Sequence, residues 1–159
     1  MANKKPDDLS LELQRYLRKH PKTEHMELLI ADLAGVLRGK RIRRNEFSKT
    51  MSDGFTLPGG AVLLDTLGDV IDGLPWGDSD GDPDTQAELV PGSLKPIPWA
   101  KKPMAQAMFH FLSRDDQPFF ADPRHVLQRA AAPLEAMGLK IIMATELEFY
   151  LLHGHTEQP

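Results

Sequence analysis

The 159-residue chain contains no cysteine, so disulfides, thiolate metal sites and a cysteine nucleophile are excluded. Long apolar runs are also missing. The longest fall far below the roughly 20 residues that a membrane-spanning helix needs, and the opening "MANKKPDD" has no apolar signal core. With both features absent, the expected compartment is the cytoplasm. Nor does one sign of charge dominate: 19 Lys and Arg against 23 Asp and Glu give a formal net charge of -4. That balance argues against a general nucleic-acid binder, although "RGKRIRR", residues 38–44, is a local basic patch. What remains is an ordinary globular composition, long enough for one full core or for one small domain plus the start of another.

After a polar start, Leu9, Leu13, Tyr16 and Leu17 fall on one helical stripe. Asp7 and Asp8 stand at its positive end, Arg18, Lys19 and His20 at its negative end, and Pro21 stops it. Residues 26–32 and 36–42 read as two strands joined by a turn at Ala34-Gly35. A short helix follows, with Asn45 as N-cap and Gly54 as its stop. "AVLLD", residues 61–65, is expected as a brief strand, and residues 68–84 as a long loop rich in Gly, Asp and Pro. "AELVPGSLKPIPW" gives two short extended pieces broken by Pro91-Gly92. Residues 103–112 form a strand with Gln106, Met108 and His110 on one face.

Asp122 then caps a helix whose first position is Pro123 and whose apolar face is Val126, Leu127, Ala130, Leu134 and Met137. Pro133 should kink it and Gly138 ends it. Residues 140–152 are expected as a final strand. The pattern suggests a small α+β domain to about residue 115, after which a helix and an apolar strand begin something else. That strand has no obvious partner, so the chain is expected to be the N-terminal piece of a longer protein.

Glu146 and Glu148 interrupt the final apolar run. In a strand, side chains at i and i+2 share a face, roughly 6.6 Å apart along the chain. Two carboxylates so placed could serve Mg²⁺ or Mn²⁺, holding one ion or one each of two neighbours. They could equally mark the solvent side of an amphipathic strand, and periodicity leaves both readings open. "DSDGDPDTQAEL", residues 78–89, fails as a calcium loop, because Pro83 stands where glycine is required and Leu89 where a bidentate Glu is required; it reads as a solvated acidic loop. The basic residues Arg38, Lys40, Arg41, Arg43 and Arg44 could face a phosphate or an acidic partner subunit, but such a run is more often a solvated strand edge. His153 and His155 read as a solvated loop, and His110 as a satisfied core histidine.

"ELEFYLL" following "DPRHVLQRAAAPLEAMGL" resembles the glutamine synthetase family, whose catalytic domain opens with this helix and a strand carrying E-x-E-F. "ADLAGVLRGKRI" is similar to the first hairpin of that family's N-terminal β-grasp domain, and "LVPGSLKPIPW" to its proline-rich stretch. The likeness spans residues 24–152. Within the family, "GFTLPGGAVLLD", "PWAKKPMAQ" and "QPFFADPR" look most like the γ-glutamylpolyamine (glutamate-putrescine) synthetases. The implied fold is α+β: an N-terminal helix over residues 1–23, a β-grasp-like domain over 24–115, and the truncated first helix and strand of the catalytic domain over 116–159.

The resemblance also implies an ATP-dependent ligase that phosphorylates the γ-carboxylate of glutamate and lets an amine displace phosphate, with Mg²⁺ or Mn²⁺ neutralising the transferring charge. By motif, Glu146 would ligate the ion nearer the ATP phosphates and Glu148 the ion nearer the glutamyl γ-carboxylate. No residue of the chain is assigned as catalytic, and the ATP and glutamate sites would lie beyond residue 159. The chain alone should then be inactive. A homo-oligomeric double hexameric ring with active sites between subunits is implied as well, with no nucleic-acid or membrane partner. One departure bears on the substrate. Where glutamine synthetases carry an Asp-Gly-Ser-Ser loop whose Asp helps bind ammonium, this chain has "PGGA", residues 58–61, which favours a bulkier amine such as putrescine or another polyamine. Glutamine synthesis from ammonium and a non-catalytic assembly or regulatory role are the alternatives.

Overall fold

The structure, a computed structural model, describes residues 6–74, 81–113 and 115–151. Its first element is α1 (Pro6–Lys19). The expected stripe is the buried one: Leu13 and Tyr16 lie in the core, with Leu9 and Leu17 packed at its margin. Arg18 and Lys19 occupy the last turn, where they oppose the exposed carbonyl charge. The Tyr16 hydroxyl lies 3.4 Å from the Thr23 hydroxyl, a buried contact that ties the helix to the chain leaving it.

β1 (His25–Ala31) and β2 (Leu37–Arg43) form the expected hairpin, in antiparallel register from His25 opposite Arg43 to Ala31 opposite Leu37. The turn between them is organised by Asp32, which is only 1% exposed. Its carboxylate accepts from the Val36 amide (2.7 Å) and from Arg38 Nε (2.9 Å), so the buried charge is paired as well as hydrogen-bonded. In β2, Gly39 has φ 155° and its α-carbon faces the Leu28 carbonyl, leaving no room for a side chain.

A 3₁₀ turn (Arg44–Glu46) leads into α2 (Phe47–Asp53). Asn45 is not the cap the sequence suggests. It lies inside the turn, whose start is held by the Glu46 carboxylate accepting from the Arg43 amide at 3.0 Å. The α-helix begins where Phe47 enters the core, and Phe47 and Met51 are its buried apolar residues. Gly54 ends it with φ 72°, as expected.

β3 (Phe55–Pro58) precedes the position expected for a strand at 61–65. There the chain makes a 3₁₀ turn (Gly59–Val62), and Leu64 forms only an isolated bridge with Val70. Val62 and Leu63 are buried all the same, so their apolar character signals core placement and not ladder pairing. Pairing with β4 (Asp84–Leu89) stops at Pro58 opposite Asp84, where proline offers no donor.

β5 (Lys95–Pro96) is the second extended piece, and β6 (Met104–Phe111) the central strand. The sheet order is β2-β1-β6-β4-β3, with β5 also on β6. Among the described residues, only the β1–β6 pairing is parallel. Across the Pro91-Gly92 break, the Ser93 hydroxyl donates to the Met108 carbonyl and accepts from the Met108 amide (3.2 and 3.0 Å), replacing the missing ladder bonds. Ala105, Ala107, Phe109 and Phe111 point into the core, and Gln106, Met108 and His110 share the other face as the alternation requires.

α3 (Pro123–Ala136) starts as expected, with Asp122 Oδ1 accepting from the Arg124 amide at 2.8 Å. Asp122 Oδ2 also accepts from the Phe111 amide (2.8 Å), fastening the helix start to the end of β6. The helix continues through Pro133. Its apolar stripe is not a core face, however: Val126, Leu127, Leu134 and Met137 are exposed, and His125 is the buried residue. The expected strand at 140–152 is likewise not formed, since residues 139–151 are neither helix nor strand. A strand requires a hydrogen-bonded neighbour, and none of the described residues provides one.

Candidate functional site

Glu146 and Glu148 both lie exposed in this segment, amid Leu147 (84% exposed) and Phe149 (73%). Their chemistry suits part of a hard-cation shell, since each brings anionic oxygen and the chain has no competing thiolate. Among the described residues, no group of three or more His, Asp or Glu could hold a metal ion. Among the described residues the pair is therefore at most a partial ligand set.

The other candidates resolve into structure. Of the acidic stretch 78–89, Asp82 accepts from the Gly60 amide (2.7 Å), Asp84 accepts from the Thr56 hydroxyl (3.0 Å), and residues 84–89 are β4; residues 78–80 lie outside the described residues. His153 and His155 lie outside them too. The basic run sits on β2, an edge of the sheet, and in the turn after it. Arg41 pairs with Glu27 directly opposite at 2.6 Å. Lys40 donates to the Thr56 carbonyl and lies 4.9 Å from the centre of the Phe55 ring, while Arg44 donates to the carbonyls of Pro21 and Thr23. These cations hold the edges of the fold together, which is the structural reading of the run.

His110 departs from the satisfied core histidine expected of it. Its ring packs against His125 at 4.7 Å between centroids, and its Nδ1 is buried without a hydrogen-bond partner among the described residues. Arg124 Nε, in the same junction of β6 and α3, is also unpartnered among them. Burial, then the neighbouring His125 and Arg124, hold the His110 imidazole down to about 4, against an opposing pull from Asp122. Sequence reading missed His125, because a histidine three residues into a helix with an apolar stripe carries no periodic signal of its own.

In the stretch 58–61 the Gly60 amide donates to Asp82 and the Gly59 amide to the Pro83 carbonyl (3.2 Å). Beside it is a hollow of about 240 Å³ with walls from Ala61, Leu64, Val70 and Ile71 and one carboxylate, Asp82, on its lining.

The protein-family description "Glutamine synthetase, catalytic domain" matches residues 120–159. The chain belongs to the glutamine synthetase family. It is 36% identical over 141 residues to gamma-glutamylputrescine synthetase PuuA of Escherichia coli, a match covering 89% of this chain and 30% of that protein. It is 30% identical over 147 residues to the glutamate–isopropylamine ligase of a Pseudomonas species, covering 90% of this chain and 31% of that one. The chain thus spans about a third of the length of these relatives. Among solved structures, one described as a novel glutamine synthase homolog superposes with a TM-score of 0.62 at 17% identity, covering 72% of this chain and 27% of that one. That likeness concerns the fold alone.

Proposed function

We propose that this chain is the N-terminal part of an ATP-dependent ligase joining the γ-carboxylate of glutamate to an amine, putrescine or a related polyamine. The observation that carries the reading is the 36% identity to a γ-glutamylputrescine synthetase across 89% of the chain. The replacement of an Asp-bearing ammonium loop by Pro58, Gly59, Gly60 and Ala61 supports an amine that is already nucleophilic. The neighbouring hollow, apolar with one carboxylate, has the chemistry of an aliphatic ammonium site.

In this reaction the γ-carboxylate oxygen of glutamate takes the terminal phosphoryl group of ATP, releasing ADP. The amine nitrogen then attacks the acyl carbon of γ-glutamyl phosphate, phosphate leaves with the C–O bonding pair, and the nitrogen loses a proton. Glu146 and Glu148 would hold divalent ions in the parent enzyme. Mg²⁺ or Mn²⁺ bound there would supply neutralisation of the phosphoryl charge. Residues 24–115 form the β-grasp-like unit and residues 116–159 open the catalytic domain. The enzyme is a cytoplasmic homo-oligomer, a double hexameric ring with active sites shared between subunits, and this portion alone is inert.

The test is phosphate release from ATP and glutamate by the full-length protein, with putrescine compared against ammonium. Turnover with putrescine is expected; strong turnover with ammonium and none with any amine would make the enzyme a glutamine synthetase. No turnover with either would leave assembly or regulation as the role. In the same protein, Glu148→Ala is expected to abolish turnover and weaken divalent-ion binding with the fold intact. Unchanged activity in that variant would remove the metal assignment.

A further inference from the structure

Three hollows of about 460, 370 and 520 Å³ adjoin one another through shared lining residues. The first lies between α1 and residues 92–96, and it shares Tyr16, Lys19, His20 and Pro96 with the second. The second shares Pro21, Lys22 and Pro103 with the third. Together they make one continuous trough. Its charged residues are spread over all three hollows, unlike a small-molecule pocket, which would bring its polar groups together at one point.

Cations predominate along this trough. Arg15, Lys19, Lys22, Lys95 and Lys102 line it, all are exposed, and none forms an ion pair among the described residues. Two carboxylates, Glu12 and Glu24, also line it. Glu12 is committed to the amides of Gly92 (2.8 Å) and Leu94 (3.3 Å), where it fixes α1 to the turn before β5. Five uncommitted cations therefore face one uncommitted carboxylate, in a chain whose formal net charge is -4. Such segregation against the overall charge balance creates a local positive field that selects an anionic partner.

Tyr16, Leu94, Ile97 and Met104 are buried or half-buried apolar side chains of the lining, with the buried Thr23 among them. Apolar side chains and uncommitted cations lining the same trough fit a chain that alternates acidic and apolar side chains. A polynucleotide would gain nothing from those apolar side chains and would meet the net negative charge of the rest of the molecule.

We propose that this trough is a docking surface for an extended, acidic segment of a partner protein bearing apolar side chains between its carboxylates. The test uses the protein and a short fluorescein-labelled peptide of alternating Glu and Leu, followed by fluorescence anisotropy. Saturable binding that weakens with rising salt is expected. The double variant Lys19→Glu/Lys95→Glu should weaken it by about tenfold or more, whereas Lys49→Glu, an exposed position on α2 outside the trough, should leave it unchanged. The milder pair Lys19→Ala/Lys95→Ala, with circular dichroism and melting midpoint as controls, guards against a folding defect.

The proposal is overturned if the peptide does not bind saturably, or if the double variant binds it as well as the parent. It is equally overturned if a Gln-Leu peptide or a short oligodeoxythymidine binds as tightly as the Glu-Leu peptide, since charge or protein character would then play no part. A dimer of the protein that the double variant dissociates would assign the trough to a second copy of this chain and overturn the partner assignment.

Discussion

Gly39 shows how little latitude one residue of the hairpin has. A β-carbon there would overlap the Leu28 carbonyl oxygen on the neighbouring strand, and the φ of 155° is itself unfavourable for a side chain. Gly39→Ala should therefore destabilise the protein by about 3 kcal/mol in urea unfolding. His110 makes a pH prediction at the same scale. Its folded-state value of about 4 lies below the ordinary 6.5, so between these values the unfolded chain binds the proton more readily than the folded one. Its contribution is thus fully present above pH 6.5 and is lost as pH falls toward 4. Melting midpoints taken across that window should fall less steeply in His110→Gln, which cannot titrate, than in the parent.

At the scale of elements, the joint between β6 and α3 depends on Asp122, which satisfies the Arg124 amide at the helix start and the Phe111 amide at the strand end. Asp122→Ala removes the cap and leaves a buried donor unsatisfied. The expected loss is about 2 kcal/mol by urea denaturation, with a smaller loss in Asp122→Asn. The cap was legible from Asp-Pro alone, because N-capping is a local rule. Its second bond was not, because Phe111 is eleven residues away and meets the cap only through the fold. Similarly, Asn45 has the chemistry of a cap, but the need to seat Phe47 in the core moved the helix start past it.

For the molecule as a whole, the notable feature is apolar surface without cover. Val126, Leu127 and Leu134 on α3, and Met137, Ile142, Leu147, Phe149 and Leu151 beyond it, are all exposed, a pattern typical of an interaction surface. Leu127→Glu combined with Leu134→Glu should reduce self-association of this chain in light scattering, while leaving its melting midpoint unchanged within about 1 kcal/mol of stability. A large fall in the midpoint would show that these side chains pack inside the fold.

The sequence by itself determined the local matters: α1 and its stripe, the β1–β2 hairpin, the alternation of β6, the cap of α3 and the nearness of Glu146 to Glu148 along the chain. Each rests on periodicity or on contacts a few residues apart. Tertiary structure decided what depends on distant partners. It gave β1 its parallel neighbour β6, put the end of a 3₁₀ turn and an isolated bridge where a strand at 61–65 was expected, paired His110 with His125, and left residues 139–151 without a ladder to join. An apolar run announces that a segment is suited to burial, but which surface buries it is fixed by chain elements far away in sequence, and that information has no local signature.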